Sequence, residues 1–204
     1  IGSGATFDAG DNAYTLNLTH CDVPVVYNGN FDAGNSTVLY SGACNQTIAP
    51  MYYYNLSMTN SDKTFSNTNI IGVAGAFIPE ASHTYTVEGS SVEFNGSIAQ
   101  SIPDFTFDKL VVNNTSLPSV GVTMSGDVTV NKQLLMTDGV LNTGVNTLLV
   151  TNTSPSAVMN GHYTDDTHQS YINGSLTRYL PKGHTGEEFT QQYIFPVGNT
   201  TNGY

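Results

Sequence analysis

Hydrophobic and polar residues alternate in short runs along most of the chain, which is the period of two that β-strands show. Val38 and Tyr40, and later Val92 and Phe94, stand between polar neighbours. Turn signals such as Asp138-Gly139 separate the runs at close spacing. No segment has the apolar stripe of an amphipathic helix, so the pattern predicts an all-β fold with almost no helix.

An internal repeat refines this prediction. Residues 37–60 align without a gap on residues 91–114, and the apolar positions of the two segments stay in phase. A shorter echo repeats the segment 7–10 (Phe-Asp-Ala-Gly) as segment 31–34. A spacing of about 24 residues, as in this echo, corresponds to one coil of a parallel β-helix. The sequence therefore predicts a β-solenoid of stacked short strands, in which the offset of the longer repeat spans two or three coils.

The composition and the residue pattern of the sequence change near residue 160. Charged residues, histidine and proline become more frequent over residues 162–186, and the strand-turn rhythm lapses. We predict that residues 1–160 form the β-solenoid, and that residues 161–204 form a junction leading into the start of a second β-rich, sandwich-like unit. Because the chain opens with Ile1 and ends without a closing element, we expect a processed chain or a fragment.

Composition excludes several classes of partner. Charged residues make up only 10% of the chain, against about 25% in an average soluble domain. The net charge is −11 with five Lys and Arg, too few cations to bind a phosphate backbone or an anionic membrane. No apolar run approaches the ~18 residues that a membrane-spanning helix needs. We expect no nucleic-acid partner and no membrane span.

Asn-x-Ser/Thr triplets occur ten times. They arise by chance in a chain rich in Asn and Thr, or they mark N-glycosylation in a secretory setting. The candidate positions are Asn17, Asn35, Asn45, Asn55, Asn95, Asn113, Asn114, Asn152, Asn173 and Asn199.

The spacing of the two cysteines is within one residue of the spacing of the short echo. Equivalent positions in adjacent coils are ~4.8 Å apart, close to the Cα separation that a disulfide tolerates. The spacing favours a disulfide between Cys21 and Cys44. Two buried free thiols are the alternative, and a metal pair would lack further ligands.

Three consecutive tyrosines suggest a contact surface. Tyr53 aligns with Phe107 in the repeat and should face the core, so that alternation directs Tyr52 and Tyr54 outward. Exposed aromatic side chains are enriched at interfaces and can stack on sugar rings. Tyr52 and Tyr54 thus form a candidate contact or glycan-binding face, and ordinary packing on a neighbouring loop is the alternative.

Candidate chemistry is sparse. His162, Asp165, Asp166 and His168 form the densest group of ligand-type residues, but their spacing matches no known metal motif and favours a solvated turn. The chain has neither a Gly-x-Ser-x-Gly nor a His-Glu-x-x-His motif. We expect no catalytic residues, no metal and no cofactor. A β-helical polysaccharide-degrading enzyme ranks third, because such enzymes need clustered Asp, Lys or Arg.

Several segments resemble the repeated pattern of large, type IX-secreted bacterial surface proteins. The resemblance is good from about residue 85 to 204 and looser before that, and neither the cysteine pair nor the three tyrosines belong to it. The segments that carry it are 89–96 (GSSVEFNG), 100–102, 107–110, 122–126, 134, 139–141, 146–148, 171–174, 178 and 195–198.

The resemblance implies an extracellular β-helical stalk followed by sandwich domains, as in adhesins, gliding-associated proteins or appendages, without catalytic residues. We therefore expect a non-enzymatic structural or adhesive module at the cell surface or in the medium, serving as a stalk or as a filament subunit. Its partners would be other copies or other domains of the same long chain. The alternative is a module that binds surface glycans through its exposed tyrosines.

Overall fold

The computed structural model describes residues 1–26, 28–116, 121–160, 170–182 and 192–198. These residues form parallel-paired strands and one 3-10 turn, Pro155–Ala157, with no α-helix among them. The strands stack as a β-solenoid of about eight coils. The predicted all-β, β-solenoid class is confirmed.

The coils contribute strands to three faces, which we call the first, second and third face; the first coil reaches the third face only through the single bridge of Asp22 to Gln46. The first face contains Thr6–Asp8, Asn30–Asp32, Tyr52–Tyr53, Ile70–Val73, Ser91–Phe94 and Val158–Asn160. The second contains Thr15–Leu18, Thr37–Tyr40, Asn55–Met58, Phe77–Pro79, Gln100–Ile102, Val122–Met124, Ser170–Asn173 and Val197–Gly198. The third contains Gln46–Ile48, Lys63–Phe65, Tyr85–Thr86, Leu148–Val150 and Leu176–Arg178. Two long strands bend around corners: Phe105–Asn113 from the third face to the first, and Val128–Asn142 from the third through the first to the second.

Strand pairing gives the length of a coil. Phe7 pairs with Phe31, so the short echo marks neighbouring coils, as predicted. Coil length varies along the solenoid. The pairs Val73–Phe94 and Phe94–Val112 enclose shorter stretches of chain, whereas Leu134–Val158 encloses a stretch as long as that of the short echo. The side chains that point inward form one continuous apolar core along the solenoid.

The offset of the longer repeat does not correspond to whole coils. Val38 lies on the second face, whereas its aligned partner Val92 lies on the first. The expectation of two or three coils is therefore wrong. Both residues are fully buried, so the alignment identifies the inward positions correctly. The alignment matches a strand of the second face with a strand of the first face, because strands and corners follow one another in the same order on all three faces.

Buried amides brace the corners between faces. Gln46 is fully buried; its Oε1 accepts from the Gly42 N–H at 2.9 Å, and its Nε2 donates to the carbonyls of Leu18 and His20 in the preceding coil. Gln100, its partner in the repeat, makes the same set of bonds at a different corner. These bonds satisfy backbone groups that a turn inside a solenoid would otherwise leave without partners.

Lys63 takes the corner position directly above Gln46. Its side chain is fully buried, and Nζ donates to the carbonyls of Thr59 at 2.9 Å and Ser61 at 2.7 Å. Burial lowers the pKa of this ammonium group, and the hydrogen bonds offset the cost of removing it from water. One of the five cations of the chain is thus structural.

Parallel pairing continues beyond residue 160. Ser170–Asn173 pairs with residues 139–142, and Leu176–Arg178 pairs with Leu148–Val150. The solenoid therefore extends at least to Arg178. Much of the segment 161–204 lies outside the described residues, and the start of a following unit there stays a prediction.

Two of the three faces lose their strand pairing together at one level, which we call the interrupted junction. Between the fourth and fifth coils, pairing of the first face continues, since Ile70–Val73 pairs with Ser91–Phe94. On the second face, Phe77–Pro79 pairs only with the coil before it, and Gln100–Ile102 only with the coil after it. The third face is likewise unpaired between Tyr85–Thr86 and the following coil.

Aromatic side chains fill the core beneath the interrupted junction. Their ring centroids lie 4.8–6.4 Å apart, mostly edge to face or tilted, the geometry that aromatic pairs prefer. Packing of rings thus replaces strand pairing as the contact between these coils. The six residues are Phe65, Phe77, Tyr85, Phe94, Phe105 and Phe107.

Candidate contact surface

The three tyrosines lie at the end of the first face in the third coil. Tyr53 is 1% exposed and lies in the core, as the alternation predicts. Tyr52 points outward and is 49% exposed, whereas Tyr54 at the following corner is half-buried. The predicted strand phase is therefore correct.

Both outward tyrosines pack on glycines of the next coil. Tyr52 pairs with Gly72, and a side chain at Gly72 would collide with the Tyr52 ring. A Cβ at Gly75 would lie 3.1 Å from Cε1 of Tyr54. The glycines thus leave space for aromatic rings, a recognised way of stabilising a strand that lacks a side chain. Part of each tyrosine is accordingly structural, and Tyr52 keeps the larger exposed area.

Tyr52 begins an outward row that follows the first face across six coils. Strand register places these side chains one above another, with a step of ~4.8 Å per coil. Four of the six are apolar or aromatic, and Glu93 is 8% exposed with its Oε1 accepting from Asn113 at 2.9 Å. The row consists of Tyr52, Gly72, Glu93, Val111, Leu135 and Met159.

A second outward row runs beside the first. Ile70, Ser91, Lys109 and Gln133 pair in register through successive coils. Ile70 is 38% exposed, and Lys109 is the only cation on these two rows. The two rows together give the first face a mixed apolar and amide-bearing exterior.

A groove lies over these rows. Its main part has a volume of about 380 Å³ and is walled on one side by Asn67, Thr68 and Asn69, with Lys109 and Leu135 on its floor. A second hollow of about 260 Å³ continues from Asn69 toward Tyr52. We call the two together the first-face groove. Because the strands beneath its main part are paired on both sides, a ligand there would be bound by side chains and not by backbone groups.

The disulfide prediction is confirmed. Cys21 and Cys44 are bonded, with Cα atoms 5.5 Å apart. Asp22, next to Cys21, pairs with Gln46 in the second coil. The bond therefore fastens the first coil to the second at the end of the solenoid, where strands have a neighbour on one side only among the described residues.

The candidate glycosylation positions differ in exposure. Asn17, Asn35 and Asn45 are exposed, whereas Asn114 is fully buried and bonds through Nδ2 to Gln100 Oε1 at 2.9 Å. Asn199 lies outside the described residues. The remaining positions are half-buried: Asn55, Asn95, Asn113, Asn152 and Asn173.

The acidic and histidine-rich group His162, Asp165, Asp166 and His168 lies outside the described residues. Within the described part of the chain, no group of three or more His, Cys, Asp or Glu could hold a metal ion. No helix there is long and apolar enough to cross a membrane.

Sequence reasoning missed the first-face groove and the buried Gln and Lys corners. The groove depends on register across coils of unequal length, which a single repeat offset does not give. A signal for the corners exists, because the same order of Gly and then Gln occurs at 42 and 46 and again at 96 and 100.

Comparison with known proteins gives no match. No family model matches the chain, and no curated protein or solved structure is significantly similar to it.

Proposed function

We propose that this chain is a rigid, non-catalytic spacer within an extracellular structural or adhesive protein. The observation that carries the proposal is the strand stacking of the first face, which is paired from Tyr52 to Met159 without interruption. Eight coils at ~4.8 Å per step give a rod about 34 Å long. Stacked strands resist extension because every coil is hydrogen-bonded to its neighbours.

Three further observations support an extracellular setting. A disulfide persists in oxidising compartments and is rare in the cytosol. The chain also keeps its surface hydrated with few charges, as shown by a charged fraction of 10%. The resemblance to type IX-secreted surface proteins points to the same location.

The location is tested with an antibody against the folded chain, applied to intact cells that express it. Labelling without permeabilisation supports a surface or secreted spacer; labelling only after permeabilisation contradicts it. The mechanical role is tested by pulling the folded chain from its ends. We expect discrete unfolding steps, whereas smooth extension at low force would contradict a rigid spacer.

The first-face groove favours glycan binding as a second candidate function. Amide and hydroxyl groups along the groove can hydrogen-bond to sugar hydroxyls, while Tyr52 and Ile70 offer apolar surfaces for stacking. Screening on a glycan array tests this candidate, with Tyr52→Ala as the lining variant. Tyr14→Ala is the matched control, because Tyr14 is 60% exposed on the first coil, outside the groove. Equal binding by both variants would contradict a role of the groove.

A further inference from the structure

A cleft opens at the interrupted junction, on the side of the solenoid away from the first face. It has a volume of about 430 Å³, within the range of ordinary ligand pockets. Pro79, His83 and Tyr85 line it from the fourth coil, and Pro103, Asp104 and Phe105 from the fifth. The cleft exists because the strands of these coils are unpaired on the second and third faces.

Most side chains that line the cleft have no hydrogen-bond donor to offer a ligand, and the exposed Thr106 hydroxyl is the exception. Pro79 and Pro103 have no N–H to offer. The Tyr85 hydroxyl donates its proton to the Glu80 carbonyl at 3.0 Å, and burial raises the pKa of Tyr85 to about 12. Asp104, by contrast, is an exposed carboxylate that only accepts when ionised. A ligand that donates hydrogen bonds therefore suits this cleft better than one that accepts them.

The histidine of the cleft is already engaged by carboxylates. His83 Nε2 lies 3.2 Å from Glu80 Oε2, and Nδ1 lies 3.9 Å from Asp62 Oδ1. Both carboxylates also accept from backbone N–H groups, Glu80 from Asn60 and Asp62 from Thr84. The surroundings of the cleft thus carry more negative than positive charge, in a chain whose net charge is −11.

Two aromatic rings complete the lining. The rings of Tyr85 and Phe105 have centroids 5.1 Å apart; Phe105 is buried, so the half-buried Tyr85 provides the more accessible ring. A cation within about 6 Å of a ring centroid is attracted by the electrons of the ring face. A carboxylate next to aromatic rings is the combination that binds ammonium and guanidinium groups.

We propose that the cleft at the interrupted junction binds a cationic group, an ammonium or a guanidinium, with Asp104 as its counter-ion. The group comes either from a small polyamine or from a lysine or arginine side chain of a partner protein. This site is independent of the spacer role and of the first-face groove.

The test uses calorimetric titration of the folded chain with spermidine and with N-acetyl-arginine amide. N-acetyl-glutamine amide is the uncharged probe. Asp104→Asn removes the counter-ion, and Ala81→Phe fills the mouth of the cleft, which Ala81 also lines. Glu88→Gln and Ala99→Phe are the matched controls, because both residues are exposed and neither lines the cleft. Circular dichroism establishes that each variant is folded.

We expect both cationic probes to bind and the uncharged probe not to bind. Asp104→Asn should weaken binding up to about fivefold, the contribution of an ion pair at an exposed carboxylate. Ala81→Phe should weaken binding about tenfold or more, because its ring would occupy the cleft. The controls should bind as the unsubstituted chain does. Tighter binding of spermidine identifies a small amine as the source, and tighter binding of the arginine derivative identifies a side chain. No binding, or equal weakening by Glu88→Gln and Asp104→Asn, overturns the proposal.

Discussion

Two tyrosine hydroxyls close a hydrogen-bonded ring with the backbone of Ala49 inside the core. The Ala49 N–H donates to Tyr40 Oη at 3.1 Å, and the Tyr53 hydroxyl donates to the Ala49 carbonyl at 2.8 Å. Because the Tyr53 proton is used there, the Tyr40 hydroxyl donates to Tyr53 Oη across their 2.8 Å contact. Burial raises the pKa of Tyr40. The ring fixes the corner that leads from the third face of the second coil to the first face of the third.

Removing either hydroxyl should leave different groups without partners. Tyr53→Phe leaves the Tyr40 proton without an acceptor, whereas the Ala49 carbonyl still accepts from the Met51 N–H at 3.0 Å. An unsatisfied buried group costs about 1–3 kcal/mol. We expect a loss of about 1–3 kcal/mol in the free energy of unfolding. Tyr40→Phe strands the Ala49 N–H alone and should cost about 1–3 kcal/mol.

The double variant distinguishes a hydrogen-bonded ring from two independent hydrogen bonds. With both hydroxyls absent, no stranded Tyr40 proton remains, so the double variant should cost less than the sum of the single variants by about 1–3 kcal/mol. Urea unfolding of the four proteins, with the disulfide intact, measures this difference. Tyr14→Phe is the control and should change stability by less than about 0.5 kcal/mol, because Tyr14 is exposed. Additive costs, or a Tyr53→Phe variant as stable as the control, would refute the hydrogen-bonded ring.

Four further predictions follow from burial, cross-linking and ionisation. Tyr53→Ala should lower the free energy of unfolding by about 3–5 kcal/mol and Tyr52→Ala by far less, as thermal denaturation will show; the reverse order would invert the strand phase. Replacing Cys21 and Cys44 by Ser should cost about 3 kcal/mol and speed amide exchange in Thr15–Leu18; unchanged exchange would mean that the bond does not hold the first coil. The free energy of unfolding should fall as pH rises from about 10, the pKa of a tyrosine in the unfolded chain, to about 12, the pKa of Tyr85 in the folded chain. Tyr85→Phe should make this fall smaller, as urea unfolding at a series of pH values will show. Peptide mapping for N-glycans should find any modification at Asn17, Asn35 or Asn45; occupancy at Asn114 would contradict its burial in the fold.

Local alternation was enough to predict the fold class and the inward residues. Val38, Tyr53 and Phe107 are all buried, as the period of two requires. The short echo and the cysteine spacing agree because both span one coil, so that stacking brings Phe7 beside Phe31 and Cys21 beside Cys44. Short-range alternation and the length of one coil are therefore sufficient to predict most of the architecture.

The face on which each strand lies could not be predicted in the same way. Gln46 and Gln100 occupy different corners yet make the same hydrogen bonds, because each corner poses the same problem of satisfying backbone groups. Similarity between two segments of the sequence thus indicates that they form the same type of corner, but not between which faces that corner lies. The groove and the cleft both depend on which residues share a level, and this requires the register of every coil.

The many asparagines acquire a physical explanation from the coil spacing. Asn35 donates through Nδ2 to the Asp11 carbonyl, Asn60 to that of Ser41, Asn146 to that of Met124 and Asn152 to that of Lys132. In each case the acceptor stands 19 to 24 residues earlier, one coil back.

Neutral amides thus join coil to coil where charged side chains would repel their equivalents in the next turn. A chain that selects Asn for this purpose, next to strand-favouring Thr, generates Asn-x-Thr triplets without any selection for glycosylation. The solenoid thus gives a structural reason, independent of glycosylation, for triplets such as those at Asn35 and Asn152, and the disulfide is the stronger argument for an extracellular location.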